Sequence, residues 1–340
     1  MSKLKVGLVF GGKSAEHEIS LMSARSVMAN ADRKKYKIIP IAISREGYWL
    51  TAGESETIIN SDCSQVSIDK GKYNNIGESL KNFLDLDIDL LFPLIHGPFG
   101  EDGRIQGFFE MLNIPYVGAG VIGSALGMDK VKMKEIFSVY ELPQVDYQVL
   151  NYNQFKSNNN FNIRLDFPCF VKPANMGSSI GITKIKDSKQ LINALKEAFS
   201  YDNKVIIEEG LDCREIECSV LGNYELKASL PGEIKPAHEY YDYEAKYIDE
   251  TTNLIIPAQL DEEKIKEVQQ LAIKSFKVLD CKGFARIDFF MRNRDKKIMV
   301  NEINTIPGFT KYSMYPKLWQ ESGIKYSELI DKLIALAQEV

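Results

Sequence analysis

The chain has 340 residues, of which 44% are hydrophobic and 26% charged, with a net charge of −5 and five cysteines. This is the composition of an ordinary globular protein with room for two or three compact domains. The sequence has no basic–aromatic strip of the kind that binds nucleic acid, and no stretch approaches the ~18 apolar residues of a membrane helix. It also lacks the C-x-x-C pairs of a disulfide or zinc framework. We therefore expect a cytoplasmic protein without nucleic-acid or membrane partners.

The first third of the chain alternates between apolar strands and helices. "KVGLVFGG" predicts a strand, "AEHEISLMSARSVMANA" an amphipathic helix, "YKIIPIAIS" and "IDLLFPLIHG" two more buried strands, and "IPYVGAG" a strand and a turn. This alternation predicts a parallel, doubly wound α/β sheet. Ligands of such sheets gather at the C-terminal ends of the strands, where "GGKSAEHE" and "HGPFGEDG" fall.

Residues 7–14, "GLVFGGKS", satisfy the G-x-x-x-x-G-K-[ST] pattern of a phosphate-binding P-loop. In a true P-loop the first glycine ends the strand, whereas here the apolar run from Leu8 to Phe10 suits a buried strand. Gly7 is therefore expected inside the strand. We interpret the match as a coincidence that gives Lys13 no role at the phosphates of ATP.

Beyond about residue 122 the pattern becomes α+β. "SALGMDKVKMKEIFSVY" predicts one helix, "FPCFVKPANMGSSIGITKI" two strands around a loop, "SKQLINALKEAF" a helix and "KVIIEEGL" a strand. From about residue 217 follow the strand "EIECSVLG", a polar–aromatic segment over 232–252, a helix over 261–279, a strand hairpin and a C-terminal helix. We predict domains over residues 1–122, 123–216 and 217–340.

The hairpin "GFARIDFFMRNRDKKIMVNEINT" carries the sharpest chemical pattern. Because side chains alternate along a strand, Arg286 and Asp288 share one face, and Glu302 and Asn304 share one face of the return strand. Folding about the polar turn places Asp288 opposite residues 300–302, so that two carboxylates and an amide oxygen converge beside a guanidinium. Oxygen-only ligation suits Mg²⁺. The alternative is a charged, solvated hairpin.

Two further segments predict a phosphate loop and a lid. In "VKPANMGSSIG", Lys172 leaves a strand and is followed by glycines and hydroxyls that can wrap a phosphate, with a plain glycine–serine turn as the alternative. The 232–252 segment is long for a loop inside a compact domain and holds four tyrosines. Its length and aromatic content favour a lid over a disordered surface loop.

Seven segments in this order resemble the D-alanine–D-alanine ligase family of the ATP-grasp superfamily. They are "GGKSAEHEISLMSA", "HGPFGEDGRIQG", "GMDK", "FVKPANMGSSIG", "YDYEAKY", "GFARIDFF" and "NEINTIPGFTKYSMYP", and they span residues 11–316. The resemblance implies a Rossmann-like N-terminal domain that binds substrate, followed by a two-lobed ATP-grasp fold. The second lobe would carry the metal site and the lid.

The resemblance also implies the reaction. Two D-alanine molecules would be joined with ATP and two Mg²⁺ (or Mn²⁺) ions through a D-alanyl phosphate, for peptidoglycan synthesis, by a cytoplasmic homodimer. Ligases of D-alanine with D-lactate or D-serine, and ATP-grasp ligases of other carboxylates and amines, are the alternatives. The lid sequence "YDYEAKY" is of the dipeptide-forming type, because Tyr247 stands where depsipeptide-forming relatives of the resistance type carry a histidine. His238 lies nine residues earlier and out of register.

Positions that match the family supply the nucleotide and metal sites. Asp288 and Glu302 would hold one metal ion, and Glu302 and Asn304 the second. The positions that would bind ATP are Lys130, Lys172, Ser178, Ser179, Glu208, Glu209, Leu211, Glu215 and Lys246.

The resemblance assigns the remaining roles to groups that touch the amino acids. Glu16 would hold the ammonium of the first D-alanine within a hydrogen-bonded set completed by Ser178 and Tyr247. Arg286 and the backbone N–H of Gly308 would stabilise the oxyanion of the tetrahedral intermediate. These residues, with Lys246, form the expected catalytic set.

The second substrate is expected at Ser313, which would bind its carboxylate, with Met314 shaping the pocket. Lys246 would reach the γ-phosphate when the lid closes. His96, at a strand end, could contact the substrate or make a structural hydrogen bond. The chain has only three histidines, and no Ser/His/Asp or Cys/His spacing indicates hydrolytic catalysis. A non-catalytic nucleotide-binding module is disfavoured, because the metal and oxyanion residues are all present.

Overall fold

A computed structural model of the chain describes residues 2–61, 66, 72–157, 163–235 and 253–339. Its first part is a parallel sheet of order β2–β1–β3, as expected from the strand–helix alternation. The strand predicted in "IPYVGAG" is reduced to a single parallel bridge between Tyr116 and Leu91. The elements of this part are β1 (Leu4–Gly11), α1 (His17–Asn30), β2 (Tyr36–Ile43), α2 (Ala52–Asn60), α3 (Ile76–Ser79), α4 (Lys81–Leu84), β3 (Leu90–Pro93) and α5 (Arg104–Met111).

The P-loop-like segment forms a strand that continues through its first glycine. Gly7 lies in the middle of β1 and is paired with Ile39 on one side and Leu91 on the other. The turn comes only at Gly11 and Gly12, whose φ angles of 90° and 93° favour glycine. The strand therefore runs past the point at which a P-loop would begin.

The helix predicted over residues 124–140 is wrong as a single element. Two helices, α6 (Val121–Met128) and α7 (Lys130–Val139), meet at Asp129, which has extended backbone angles of −82° and 96°. The Asp129 carboxylate accepts hydrogen bonds from the N–H groups of Val131 and Lys132 and caps α7. The cap starts a new helix at Lys130.

The central part of the chain is built on an antiparallel sheet of order β4–β7–β5–β6. The helix α9 packs on β5, β6 and β7 through Leu191, Ala194 and Leu195, which are buried. The elements are β4 (Tyr147–Asn151), α8 (Tyr152–Ser157), β5 (Cys169–Pro173), β6 (Thr183–Ile185), α9 (Leu191–Phe199) and β7 (Lys204–Glu209).

The last part of the described chain carries an antiparallel sheet of order β11–β10–β8–β12–β13, with β9 beside β8. Because β8 begins at Cys213, the domain limit predicted at 216/217 falls inside this strand. The domain limits stay a prediction. The elements are β8 (Cys213–Leu221), β9 (Lys227–Ala228), β10 (Gly232–Lys235), β11 (Asn253–Ile255), α10 (Glu262–Val278), β12 (Phe284–Arg292), β13 (Ile298–Asn304), α11 (Met314–Glu321) and α12 (Tyr326–Ala337).

The C-terminal helix α12 returns to the first part of the molecule. Its Leu329 and Leu333 share one hydrophobic core with Val6 and Phe10 of β1. The chain end thereby ties the N-terminal sheet to the sheet that carries the predicted metal ligands. No helix within the described ranges is both long and apolar enough to cross a membrane.

Candidate active site

One cavity of about 1150 Å³ is lined by residues from all three parts of the chain. Every predicted site residue that the structure describes lines it. Lys246 and Tyr247 lie outside the described residues, as do His238 and most of the predicted lid. The predicted residues at the cavity wall are Glu16, His96, Lys130, Lys172, Ser178, Ser179, Glu208, Glu209, Leu211, Glu215, Arg286, Asp288, Glu302, Asn304, Gly308, Ser313 and Met314.

Two lysines reach the cavity from neighbouring elements. Lys130, the first residue of α7, donates a hydrogen bond of 2.8 Å to the carbonyl of Met176, and its ammonium lies 3.4 Å from Glu302. Lys172, on β5, pairs with the buried carboxylate of Glu208. Both ammonium groups are mostly shielded from solvent, so an anion entering here meets positive charge that water screens only weakly.

Glu208 lies between two lysines beneath the cavity. Lys134 reaches one of its oxygens at 3.0 Å and Lys172 reaches the other. Burial alone would raise the pKa of Glu208, but the two ammonium groups outweigh it and lower the pKa to about 2. Burial lowers the pKa of Lys134, whereas for Lys172 the attraction of Glu208 outweighs burial and raises the pKa. The carboxylate is therefore ionised at neutral pH.

The glycine–serine loop between β5 and β6 adopts a conformation that turns its backbone around the cavity. Ser178 and Ser179 have φ angles of 49° and 60°, and Gly181 has 69°. Gly177, Ser178 and Ser179 line the cavity, and turns rich in such residues are common anion-binding segments. Ser178 also donates a hydrogen bond to Glu16, which joins the loop to the first part of the chain.

Glu16 occupies the N-cap position of α1, and its side chain is almost fully buried. Gly97 lies against its carboxylate, because a Cβ at residue 97 would meet Oε2 of Glu16 at 2.6 Å. Residue 97 also has a φ of 72°, so a side chain here would strain the backbone and displace the carboxylate. Glu16 thus lines the cavity between Ser178 and the 96–101 segment, where its carboxyl group suits a bound ammonium.

A second acid, the half-buried Glu101, lies near Glu16 and was not predicted from the sequence. It accepts hydrogen bonds from the N–H groups of Gly97 at 2.8 Å and Ile306 at 2.9 Å. Burial and the charge of Glu16 raise the pKa of Glu101 to about 8, despite these two donors. Glu101 connects the 96–101 segment to the chain that follows β13.

His96 is also buried, and both of its ring nitrogens have partners. Nδ1 lies 2.9 Å from the carbonyl of Ile306 and must donate to it, so in the neutral ring Nε2 accepts from Ser23, 3.2 Å away. Burial lowers the pKa of His96 and favours this neutral form. His96 binds the carbonyl of Ile306, and Glu101 binds its N–H. His96 thus makes the structural hydrogen bonds that were one of the two alternatives predicted from the sequence.

The predicted hairpin has the expected register. Asp288 pairs directly with Glu302, and Arg286 with Asn304; a bulge follows, after which Phe289 faces Val300. The guanidinium of Arg286 binds both oxygens of Asp288, at 2.7 and 2.8 Å, and Asn304 donates to Asp288 at 2.9 Å. The hairpin thus presents two carboxylates, an amide and a guanidinium on one face toward the cavity.

The donors on this face fit a hard divalent cation. Asp288 and Glu302 supply carboxylate oxygens, and the amide oxygen of Asn304 is not used in its bond to Asp288. Mg²⁺ typically binds one or two carboxylates and takes the remaining ligands from phosphate and water. The described ranges contain no group of three or more His, Cys, Asp or Glu residues arranged for a metal.

The segment after β13 brings Gly308 and Ser313 together. The Ser313 hydroxyl accepts a hydrogen bond from the N–H of Thr310 at 3.0 Å and lies 2.8 Å from the Thr310 hydroxyl. Ser313 precedes α11, and Met314, the first residue of that helix, packs on Ile234. Gly308 lies against this hydroxyl at the cavity wall, because a Cβ at residue 308 would meet it at 2.7 Å.

Three charged residues near the site were not predicted from the sequence. Glu217, on β8, lies 3.0 Å from Arg286, and Glu101 and Lys134 are described above. Glu217 follows Glu215 by two residues along β8, so the alternation of side chains along a strand would have placed both on one face. Lys134 follows Lys130 by four residues, which places both on one side of α7. Nothing local in the sequence indicates the contact of Glu101 with Ile306, 205 positions away.

Comparisons with known proteins cover nearly the whole chain. The D-ala D-ala ligase N-terminus family matches residues 5–119, and the D-ala D-ala ligase C-terminus family matches residues 136–335. The chain is 53% identical to the D-alanine–D-alanine ligase of Halothermothrix orenii, with 100% of this chain and 99% of the relative covered. It is 48% identical to that of Caldicellulosiruptor bescii, with 100% and 96% covered.

Two solved structures match over the same extent. The D-alanine–D-alanine ligase from Coxiella burnetii has a TM-score of 0.82 at 36% identity, covering 100% of this chain and 95% of its own. The VanG D-Ala:D-Ser ligase from Enterococcus faecalis has a TM-score of 0.82 at 35% identity, covering 99% and 100%. Because both sequence and fold match, the likeness extends beyond a shared nucleotide-binding architecture.

Proposed function

The chain belongs to the D-alanine–D-alanine ligase family, and from that premise we propose that it joins two D-alanine molecules with ATP to supply peptidoglycan synthesis. The family has the ATP-grasp fold, in agreement with the fold class expected from the sequence. The hydrogen bond between Ser178 and Glu16 carries the proposal. It joins the loop that would cover the phosphates to the carboxylate that would hold the substrate amine.

In the first step, the carboxylate of one D-alanine attacks the γ-phosphorus of ATP, which forms D-alanyl phosphate and releases ADP. Glu16 holds the ammonium of this D-alanine, while Lys130 and Lys172 bind the ATP phosphates as point charges. Lys246 completes the phosphate site from the lid. The adenine lies toward the strand end and hinge from Glu208 to Leu211, and the ribose toward Glu215. Closure of the site keeps water from the acyl phosphate.

In the second step, the free amine of another D-alanine attacks the acyl carbon. A C–N bond forms, and the tetrahedral intermediate collapses with loss of inorganic phosphate. The guanidinium of Arg286 and the N–H of Gly308 donate to the oxyanion of that intermediate. Ser313 binds the carboxylate of the second D-alanine, and Met314 bounds its methyl group.

The proposal includes two Mg²⁺ or Mn²⁺ ions. Asp288, Glu302 and Asn304 would hold them, because their oxygen atoms face the cavity that also contains the phosphate-binding lysines. When bound, the ions neutralise charge on the phosphates during transfer. Arg286, now paired with Asp288, would then be available to the oxyanion.

The proposal is tested by incubating the full chain with ATP, Mg²⁺ and D-alanine. Phosphate is measured by a colorimetric assay and the dipeptide by mass spectrometry; we expect one phosphate per dipeptide. A folded protein that forms no dipeptide contradicts the proposal.

D-Serine and D-lactate, each added in competition with D-alanine, test the second candidate function. One structural relative is named a D-Ala:D-Ser ligase, and the lid that differs between subtypes lies outside the described residues. Predominance of a mixed product would reassign the second substrate.

Assembly and location form the last part of the proposal. We expect a cytoplasmic homodimer, by analogy with the family. Light scattering on the protein as it elutes from a size-exclusion column would contradict the dimer if it gave the mass of one chain at micromolar concentration. Fractionation of the cells that express the chain would contradict the location if the protein remained with the membranes.

A further inference from the structure

Lys134 is a buried lysine that neither ligation step uses. Its side chain is 1% exposed, and its ammonium lies 3.0 Å from Oε1 of Glu208. The ring of Tyr147 lies beneath it, with 5.6 Å between the ammonium and the ring centroid. Gln144 donates a hydrogen bond of 3.0 Å to its backbone carbonyl. A charge this well enclosed is retained only where it has a compensating partner, and here that partner is Glu208.

The two oxygens of Glu208 face different lysines. Lys134 lies at Oε1 on the side of α7, and Lys172 lies at Oε2 on the side of β5. The Glu208 side chain is 3% exposed and that of Lys172 11%. Electrostatic attraction at such depth is screened far less than at the surface. The single negative charge of Glu208 therefore interacts with two positive partners, one at each of its oxygen atoms.

The two lysines differ in their access to a ligand. Lys172 lines the cavity, whereas Lys134 lies behind Glu208 and is not among the lining residues of the described chain. With Lys134 present, the three side chains carry a net positive charge. Without it, Glu208 and Lys172 alone would form a pair with no net charge. A phosphate would then meet a neutral pair where it now meets a net positive group.

We propose that Lys134 is a positioning residue that engages Glu208 from behind and thereby keeps the ammonium of Lys172 available to the phosphates of the bound nucleotide. The identity of that nucleotide as ATP rests on the proposed function. The role is electrostatic and acts through Glu208, so removal of the Glu208 charge should make Lys134 dispensable for phosphate binding.

The experiment compares the affinities of the full chain for ATP and for adenosine by calorimetry. Lys134→Met should weaken ATP binding about tenfold, because coupling between close buried charges reaches that size, and should leave adenosine binding within about twofold. In the Glu208→Gln chain, Lys134→Met should change ATP affinity by less than about threefold, because the effect of Lys134 depends on the Glu208 charge. Steady-state assays should show a raised KM for ATP with a smaller change in kcat.

Lys132→Met is the matched control, because Lys132 lies on the same helix with a side chain that is 56% exposed. It should leave both affinities unchanged. If Lys134→Met does not fold, Lys134→Gln supplies a polar side chain, lacks the charge and carries the same expectation.

Three results would overturn the inference: unchanged ATP affinity, a loss that adenosine shares, or a loss that is equally large in the Glu208→Gln chain. Because the readout is binding, it is independent of the ligase reaction. A protein that meets these expectations and forms no dipeptide would refute the proposed function and leave the role of Lys134 intact.

Discussion

Replacing Gly308 by alanine adds one methyl group between the oxyanion donor and the proposed carboxylate site. The new Cβ would lie 2.7 Å from the hydroxyl oxygen of Ser313 and 3.5 Å from its Cβ. The φ angle of Gly308 lies outside the left-handed region, so the backbone accepts alanine without strain. The substitution therefore isolates the effect of the contact.

The magnitude follows from the size of that contact. The distance of 2.7 Å is about 0.7 Å shorter than the 3.4 Å at which ordinary contacts begin. Ser313 cannot simply rotate away, because its hydroxyl is bound to both the N–H and the hydroxyl of Thr310. A misplacement of about 1 Å at a reacting centre costs about 10²-fold, and the loss of an oxyanion donor about 10²–10³-fold. We expect kcat/KM for D-alanine to fall about 30- to 100-fold.

The assay is steady-state phosphate release at saturating ATP and varied D-alanine. Gly53→Ala, on α2, is the matched control, because a Cβ there meets nothing within 4 Å. We expect the control to keep wild-type kinetics and melting temperature, and both variants to keep the KM for ATP. A kcat/KM for D-alanine that stays within about twofold in Gly308→Ala, or an equal loss in Gly53→Ala, would contradict this expectation.

Three other substitutions address the metal site, the buried acid and a helix cap. Glu302→Gln keeps the shape but removes a charge that suits Mg²⁺, so turnover should fall about 10²-fold or more; near-normal turnover across a Mg²⁺ titration contradicts the assignment. The folded pKa of Glu208 is lowered from 4.5 to about 2, so its stabilising effect is complete above about pH 5 and is lost as the pH falls toward 2. Glu208→Gln should flatten the fall of the melting temperature over that range, and an unaltered slope contradicts this. Asp129→Ala removes the cap of α7 and should lower the free energy of unfolding in urea by about 1 kcal/mol; a change within error refutes the cap.

Local pattern was sufficient to predict most elements of the fold and one detail of the site. Buried strands such as β1 and amphipathic helices such as α10 follow from hydrophobic periodicity, which each segment carries within itself. The pairing of Asp288 with Glu302 followed because the two strands are joined by a short turn and side chains alternate. The single helix over 124–140 failed because Asp129 bonds to the backbone ahead of it, and periodicity does not register such a cap.

The sequence by itself determined the family, the chemical groups and their order, because seven segments match in the order that the family has. It did not determine which buried charges meet, since contacts between distant segments leave no trace in local pattern. Glu101 binds Ile306 from 205 positions away, and Glu16 meets Ser178 from 162 positions away. Likewise, Lys134 reads as one more lysine of a helix. Only the packing of α7 on the central sheet removes it from water and places it behind Glu208, where the attraction between the two charges is weakly screened.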